Sequence, residues 1–214
     1  MSINDDQFTK TDLTNKLINI KTEDIEEFSF NGLKTIGKIV ECYDGDTCKI
    51  ILIANNTLNK FTCRLNNVDA PEMKPPLDKP NRLTEIAMAC KCRNRLLQLS
   101  TNCFDTCDIN CQYKKIEIKA LLLSNTKLIG IECLEFDKYG RLLVNLYDIG
   151  ITDKADKADI TDKAEITNKA DKAEITNKTD KADKADKVNI ITYNQQLILD
   201  KLVKQYNGGT KEGF

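Results

Sequence analysis

Leu33–Glu72 reads LKTIGKIVEC, YDGD, TCKIILIA, NN, TLNKFTCRLNNV, DAPE, and its alternation of apolar runs with turn residues decides the fold. Leu33 to Cys42 and Thr47 to Ala54 are rich in the branched residues that suit a pleated surface. Between them, Asp44-Gly45-Asp46 is a turn signal, because glycine opens positive φ and aspartate bonds back to nearby backbone N–H groups. Asn55-Asn56 marks a second turn, and Lys60 to Val68 reads as a third strand. Three strands joined by tight turns predict an antiparallel meander.

Outward from this segment, Ile86, Ala89, Cys90, Arg93, Leu96 and Leu97 recur at helical spacing and predict a helix over Leu83–Leu99. Lys127 to Glu135 and Arg141 to Tyr147 read as two more strands, joined at Lys138-Tyr139-Gly140. Five short antiparallel strands with an intervening and a C-terminal helix fit an α+β, mainly β, fold. The expected architecture is a small closed barrel of the OB type with two or three helices. Residues 101–125 read equally as loop, helix or strand, and residues 1–32 as an N-terminal extension with a short helix and an arm.

Residues 151–187 stand apart. From Thr152 to Lys187 the chain cycles through Asp-Lys-Ala and Glu-Ile-Thr-Asn-Lys units, with Ile160, Ile166 and Ile175 its only large apolar residues. That composition cannot bury enough area to offset its ordering entropy, so a solvated, disordered insertion is expected. Asp153 with Lys157 and Asp180 with Lys184 add i,i+4 pairs that favour transient helix. Beyond it, Leu197, Ile198, Lys201 and Leu202 predict an amphipathic helix ending near Asn207-Gly208-Gly209. This helix needs a partner surface, so 33–150 and 188–214 are read as one domain interrupted by the repeat.

The chain has 214 residues, a net charge of −1, nine cysteines and no histidine. Histidine-based acid–base chemistry and histidine metal ligands are therefore excluded. Met1 to Lys10 holds Asp5 and Asp6 and no apolar run, unlike a secretory signal. No stretch approaches the roughly 20 apolar residues that cross a bilayer. The expectation is an intracellular, cytoplasmic protein with free thiols and no membrane partner. Cys90, Cys92, Cys103, Cys107 and Cys111 crowd one segment, but without paired C-x2-C knuckles, so buried or idle thiols are favoured over zinc. A chain of this charge must hold any nucleic acid through a local cluster of Arg and Lys.

Three clusters carry chemistry. Tyr43-Asp44-Gly45-Asp46-Thr47 puts two carboxylates at the entry of a strand, although turn preference alone accounts for Asp and Gly there. Arg64-Leu65-Asn66-Asn67-Val68-Asp69-Ala70-Pro71-Glu72 runs a strand into two carboxylates around a proline. Hard cations take carboxylate and carbonyl oxygens, which such a rigid turn can aim; the plain alternative is exposed charge at a strand end. Phe136-Asp137-Lys138-Tyr139-Gly140-Arg141 offers a tight turn followed by a bidentate phosphate fork, or simply a hairpin with solvated charges.

In order and character, the three clusters resemble the staphylococcal-nuclease (thermonuclease-like) family, with its Asp-Gly-Asp-Thr, Arg-x3-Val-Asp-x-Pro-Glu and Asp-Lys-Tyr-Gly-Arg motifs. The resemblance covers residues 35–149 and the helix from 193 to 208. It implies an enzyme that hydrolyses DNA and RNA phosphodiesters with little sequence specificity. By the same resemblance, Asp46, Asp69 and the backbone carbonyl of Ala70 would bind Ca²⁺, with Mg²⁺ as the alternative. Ala70 stands where the family often has threonine, a change that a backbone ligand survives. Glu72 would activate water, Arg64 and Arg141 would grip the scissile phosphate, and Lys138 and Tyr139 would contact a neighbouring one. Tyr206 is the candidate for an aromatic facing the base. The implied partner is single-stranded nucleic acid, and the expected state is a monomer. The competing reading is a non-catalytic OB-fold nucleic-acid-binding module.

Overall fold

The computed structural model describes residues 10–209 apart from 102 and 151–190, with side chains from residue 14 onward. The repeat over 151–187 lies outside the described residues. Five strands close a barrel in the order β1 (Lys34–Cys42), β2 (Thr47–Ala54), β3 (Thr57–Leu65), β6 (Leu142–Asp148), β5 (Ile129–Phe136). The predicted meander and OB-type barrel are both present. Asn55 and Asn56, at φ 51° and 58°, make the β2–β3 turn, in the left-handed region that asparagine tolerates best after glycine. Alternate residues point inward: Ile50 and Leu52 from β2, Ile129 and Ile131 from β5, and Leu142 and Leu146 from β6 are all at most 1% exposed.

Two features of the barrel differ from expectation. It is mixed rather than wholly antiparallel, since β3 and β6 pair parallel through Cys63–Leu142, Arg64–Leu143 and Leu65–Val144. The chain between them is long enough to make the crossover that a parallel pair requires. The third strand also stops at Leu65. Asn67 (φ 57°) turns the chain, and a separate two-residue strand, β4 (Val68–Asp69), follows.

Among the described residues there are four α-helices where two or three were expected: α1 (Lys10–Asn19), α2 (Arg82–Leu99), α3 (Lys115–Ser124) and α4 (Tyr193–Leu199). Helix α3 falls in the stretch that sequence left open. Glu117 accepts the Lys114 N–H at 2.5 Å, and Ile118 and Leu122 bury one face among the core residues. The coil before it hangs on Asn94 of α2, whose amide donates to the carbonyls of Asp108, Ile109 and Cys111 at 3.2, 3.1 and 2.6 Å.

The C-terminal helix is shorter than expected, ending at Leu199 instead of near Asn207. Lys201 takes φ 57°, which breaks the helical path, and Lys204–Gln205 becomes β7, antiparallel to β4. Helix α4 starts on a Thr192–Gln195 capping box and is pinned by Asn194. The Asn194 amide donates to Asn66 O (3.0 Å) and Val144 O (3.1 Å), and its oxygen accepts the Leu146 N–H (3.3 Å).

All nine cysteines are free thiols, eight of them buried. Burial pushes Cys63 up to about 12 and Cys133 up to about 11. They fill core space as small apolar groups. Among the described residues, no helix is long and apolar enough to cross a membrane.

Candidate active site

The Asp44–Thr47 turn is built so that Asp46 faces inward. Asp44 Oδ1 accepts the backbone N–H groups of Asp46 (3.1 Å) and Thr47 (2.6 Å). Gly45 lies flat on α2, where a Cβ would sit 2.0 Å from Cys92 Sγ. Asp46 is consequently only 2% exposed. Its Oδ1 accepts the Thr47 hydroxyl at 2.8 Å and its Oδ2 the Ala70 N–H at 3.1 Å. Burial, and after it the adjacent Asp46 charge, push Asp44 up to about 7 despite those two N–H bonds.

Arg64 joins the first two clusters. Its Nη1 donates to Asp46 Oδ1 at 2.9 Å and lies 2.8 Å from Oδ2, while Nη2 reaches Asp69 Oδ1 and Val68 O, both at 3.2 Å. Strand β7 holds this turn from behind through Val68–Gln205 and Asp69–Lys204. Past it, Pro71 is buried and Glu72 is exposed. The Glu72 N–H rests on Glu85 Oε1 of α2 at 3.3 Å, and Glu85 Oε2 pairs with Lys79 at 2.6 Å.

Arg141 is held by its own hairpin. Asp137 Oδ1 accepts the N–H groups of Tyr139 and Arg141, each at 2.9 Å, and Gly140 supplies φ 75°. Asp137 Oδ2 takes Arg141 Nε and Nη2, both at 2.7 Å. Burial raises the Asp137 carboxyl, but the Arg141 and Tyr139 hydrogen bonds and the Arg141 charge outweigh it and hold the group below the usual carboxylate range. The remaining nitrogen, Nη1, points to Thr47 Oγ1 at 3.5 Å. Thr47 thus links Asp46 to Arg141. Tyr139 stacks over the pair, with Lys138 Nζ and the Arg141 guanidinium 5.1 and 5.4 Å from its ring centroid.

One open cleft of about 860 Å³ receives these groups. Asp46, Arg64, Ala70 and Glu72 line it together with Lys138, Tyr139 and Arg141. Asp69 is 4% exposed and stands behind Arg64 rather than on the wall. Tyr206 also lines the cleft. Its backbone N–H bonds Asn67 O at 3.0 Å, one step beyond the β4–β7 pair.

The oxygen set suits a hard divalent cation. Asp46 and Asp69 both meet the Arg64 guanidinium, and hard ions favour such carboxylate and carbonyl donors. Among the described residues, no three acidic or thiol side chains converge to hold an ion by themselves. Waters would have to complete the shell, as Mg²⁺ commonly retains several. The guanidinium of Arg64 occupies the space between the two carboxylates and must yield to an ion bound by both.

Sequence reading assigned no role to Thr47 or Asp137, although both lie inside the motifs. Their signals were available: a hydroxyl directly after the inward carboxylate, and an aspartate opening a four-residue turn that ends on an arginine. The sequence matches no protein-family model and no curated protein.

Proposed function

We propose that the chain is a divalent-metal-dependent nuclease of the staphylococcal-nuclease type, cleaving phosphodiester bonds of DNA and RNA with little sequence preference. The observation that carries this reading is the convergence on one cleft of Arg64 and Arg141, from the parallel-paired β3–β6 region, with Asp46 and Glu72.

Hydrolysis makes the phosphorus centre crowded and more anionic, so cations placed in advance lower the barrier. Arg64 and Arg141 grip the non-bridging oxygens of the scissile phosphate. Glu72, exposed at the cleft, takes a proton from the attacking water. The water oxygen bonds to phosphorus, one P–O ester bond breaks, and the departing alkoxide takes a proton from solvent. Asp46, Asp69 and the Ala70 carbonyl would hold a divalent cation, Ca²⁺ first and Mg²⁺ as the alternative, which would supply Lewis-acid stabilisation when bound. Lys138 and Tyr139 meet the neighbouring phosphate, and the open cleft suits single-stranded substrate.

One observation favours a non-catalytic nucleic-acid-binding module instead: Arg64 already has both terminal nitrogens on Asp46 and Asp69. Cleavage of a fluorescent single-stranded DNA oligonucleotide with Ca²⁺, Mg²⁺ or EDTA, beside Glu72→Gln, separates the two. Metal-dependent cleavage that the variant loses supports the nuclease. Binding without cleavage under either metal supports the module.

A further inference from the structure

On the far side of Thr47 lies a second groove, of about 450 Å³, between the β1–β2 face, α3 and the segment just after Glu72. Its floor is apolar, formed by Cys42, Cys48, Met73 and Ile118, and its rim is basic. Lys49, Lys74, Arg93, Lys115 and Lys119 face it, against Glu41 as its one acid. In a chain of net charge −1, this is the local concentration of cations that polyanion binding requires.

Two details mark the groove as more than a solvated face. Glu41 lies 3.6, 3.6 and 3.4 Å from Lys49, Lys115 and Lys119, so one carboxylate holds three ammonium groups together. Like charges do not gather without a counterion, and one carboxylate leaves this trio in positive excess. Arg93 is only 6% exposed, yet no carboxylate among the described residues pairs with it. Its Nε and Nη2 are spent on Asn94 Oδ1, and Nη2 also on Tyr113 O, at 3.3–3.4 Å. A buried guanidinium without an acid beside it is costly unless an anion joins it.

The groove adjoins the candidate active cleft. Tyr43 and Thr47 line both, and Thr47 is the residue that Arg141 touches at 3.5 Å. Met73 and Lys74 follow Glu72 directly in the chain. A strand whose phosphate lies between Arg64 and Arg141 therefore meets the basic rim at its next positions.

We propose that this groove is an extended binding track for the same single-stranded nucleic acid. The lysine rim takes flanking phosphates, and the apolar floor with exposed Tyr43 receives a sugar or base. This rests on the nuclease reading for its direction, and on the groove's own charge for its affinity.

The test measures binding of a labelled oligodeoxythymidine of about twelve nucleotides by anisotropy, on the full chain in EDTA, across a salt series. Lys115→Ala/Lys119→Ala removes two exposed cations, and Glu41→Gln releases the trio from its acid. The double variant is expected to bind about tenfold more weakly, with a log–log salt slope smaller by about 0.7–1.4. Glu41→Gln is expected to bind about threefold tighter, a sign that misfolding would not produce. In the presence of metal, the double variant should also lose most of the advantage in kcat/KM of the long oligonucleotide over a dinucleotide. Unchanged affinity and slope in both variants would overturn the track, even with cleavage intact. Opposite shifts in affinity with no cleavage by any protein would leave the track standing and remove the nuclease reading.

Discussion

One nitrogen of Arg64, Nη1, lies 2.9 and 2.8 Å from the two oxygens of Asp46, a carboxylate that is itself 2% exposed. The guanidinium thus stands where a cation shared by Asp46 and Asp69 would stand, and it stabilises the site when no ion is bound.

Removing Arg64 separates its two roles. In Arg64→Ala, Asp46 and Asp69 become buried carboxylates with no guanidinium, which should lower stability in EDTA by about 3–5 kcal/mol. Activity should fall by roughly 10²–10³, yet Ca²⁺ should bind more tightly, because the guanidinium no longer competes for the carboxylates. Thermal melts in EDTA and across a Ca²⁺ titration check this. An ion-induced rise in Tm no larger than that of the parent protein would contradict it.

Gly45 is expected to be intolerant. The Cβ of Gly45→Ala would lie 2.0 Å from Cys92 Sγ and 2.7 Å from Cys92 Cβ, an overpacking that typically costs about 1–3 kcal/mol. Adding Cys92→Ala removes the nearer atom and should recover part of the loss. A double-mutant cycle by urea unfolding measures the coupling; strictly additive effects would refute the contact.

Asn194→Ala should destabilise by about 1–3 kcal/mol, because the half-buried Asn66 carbonyl and the Leu146 N–H each lose a bond to it, while Val144 O keeps only the Asn66 N–H. Since Asn194 ties α4 to the Asn66–Asn67 turn, the tether that carries Tyr206 should loosen as well. Hydrogen exchange at Tyr206 N–H, which bonds Asn67 O at 3.0 Å, should quicken. Exchange at the parental rate would count against the link.

The Asp137–Arg141 pair carries a pH signature. Asp137 is held below its unfolded value, so its contribution is full above the ordinary aspartate pKa of about 3.9 and is lost as pH falls through the lower folded value. Asp137→Asn should therefore be less stable than the parent at neutral pH, and the gap should shrink below about pH 4. Urea midpoints across pH 2.5–7 decide it; a constant gap would assign the effect to shape rather than charge.

Strand boundaries were legible within a residue or two around the Asp44–Asp46 and Lys138–Gly140 turns, whereas β3 begins and ends three residues earlier than its apolar pattern implied. What escaped had distant causes. Helix α3 and its leading coil depend on Asn94 reaching three carbonyls across the fold. The early end of α4 depends on Lys201 entering a left-handed conformation so that Lys204–Gln205 can meet Val68–Asp69. The parallel β3–β6 closure is a matter of topology, which periodicity does not encode. The site residues were readable because they sit in short contiguous motifs. The joint between motifs, through Thr47 and Arg64, became visible only when the strands were placed side by side.

The β4–β7 pair sets an order in time. Chains emerge from the ribosome N-terminus first, at about 5–20 residues per second, and Asp46, Arg64, Glu72 and Arg141 all precede the strand that braces Val68–Asp69. A nascent chain halted inside the Asp-Lys-Ala repeat carries every proposed reactive group but lacks Lys204–Gln205. The turn bearing Asp69 and Glu72 then lacks the strand that braces it.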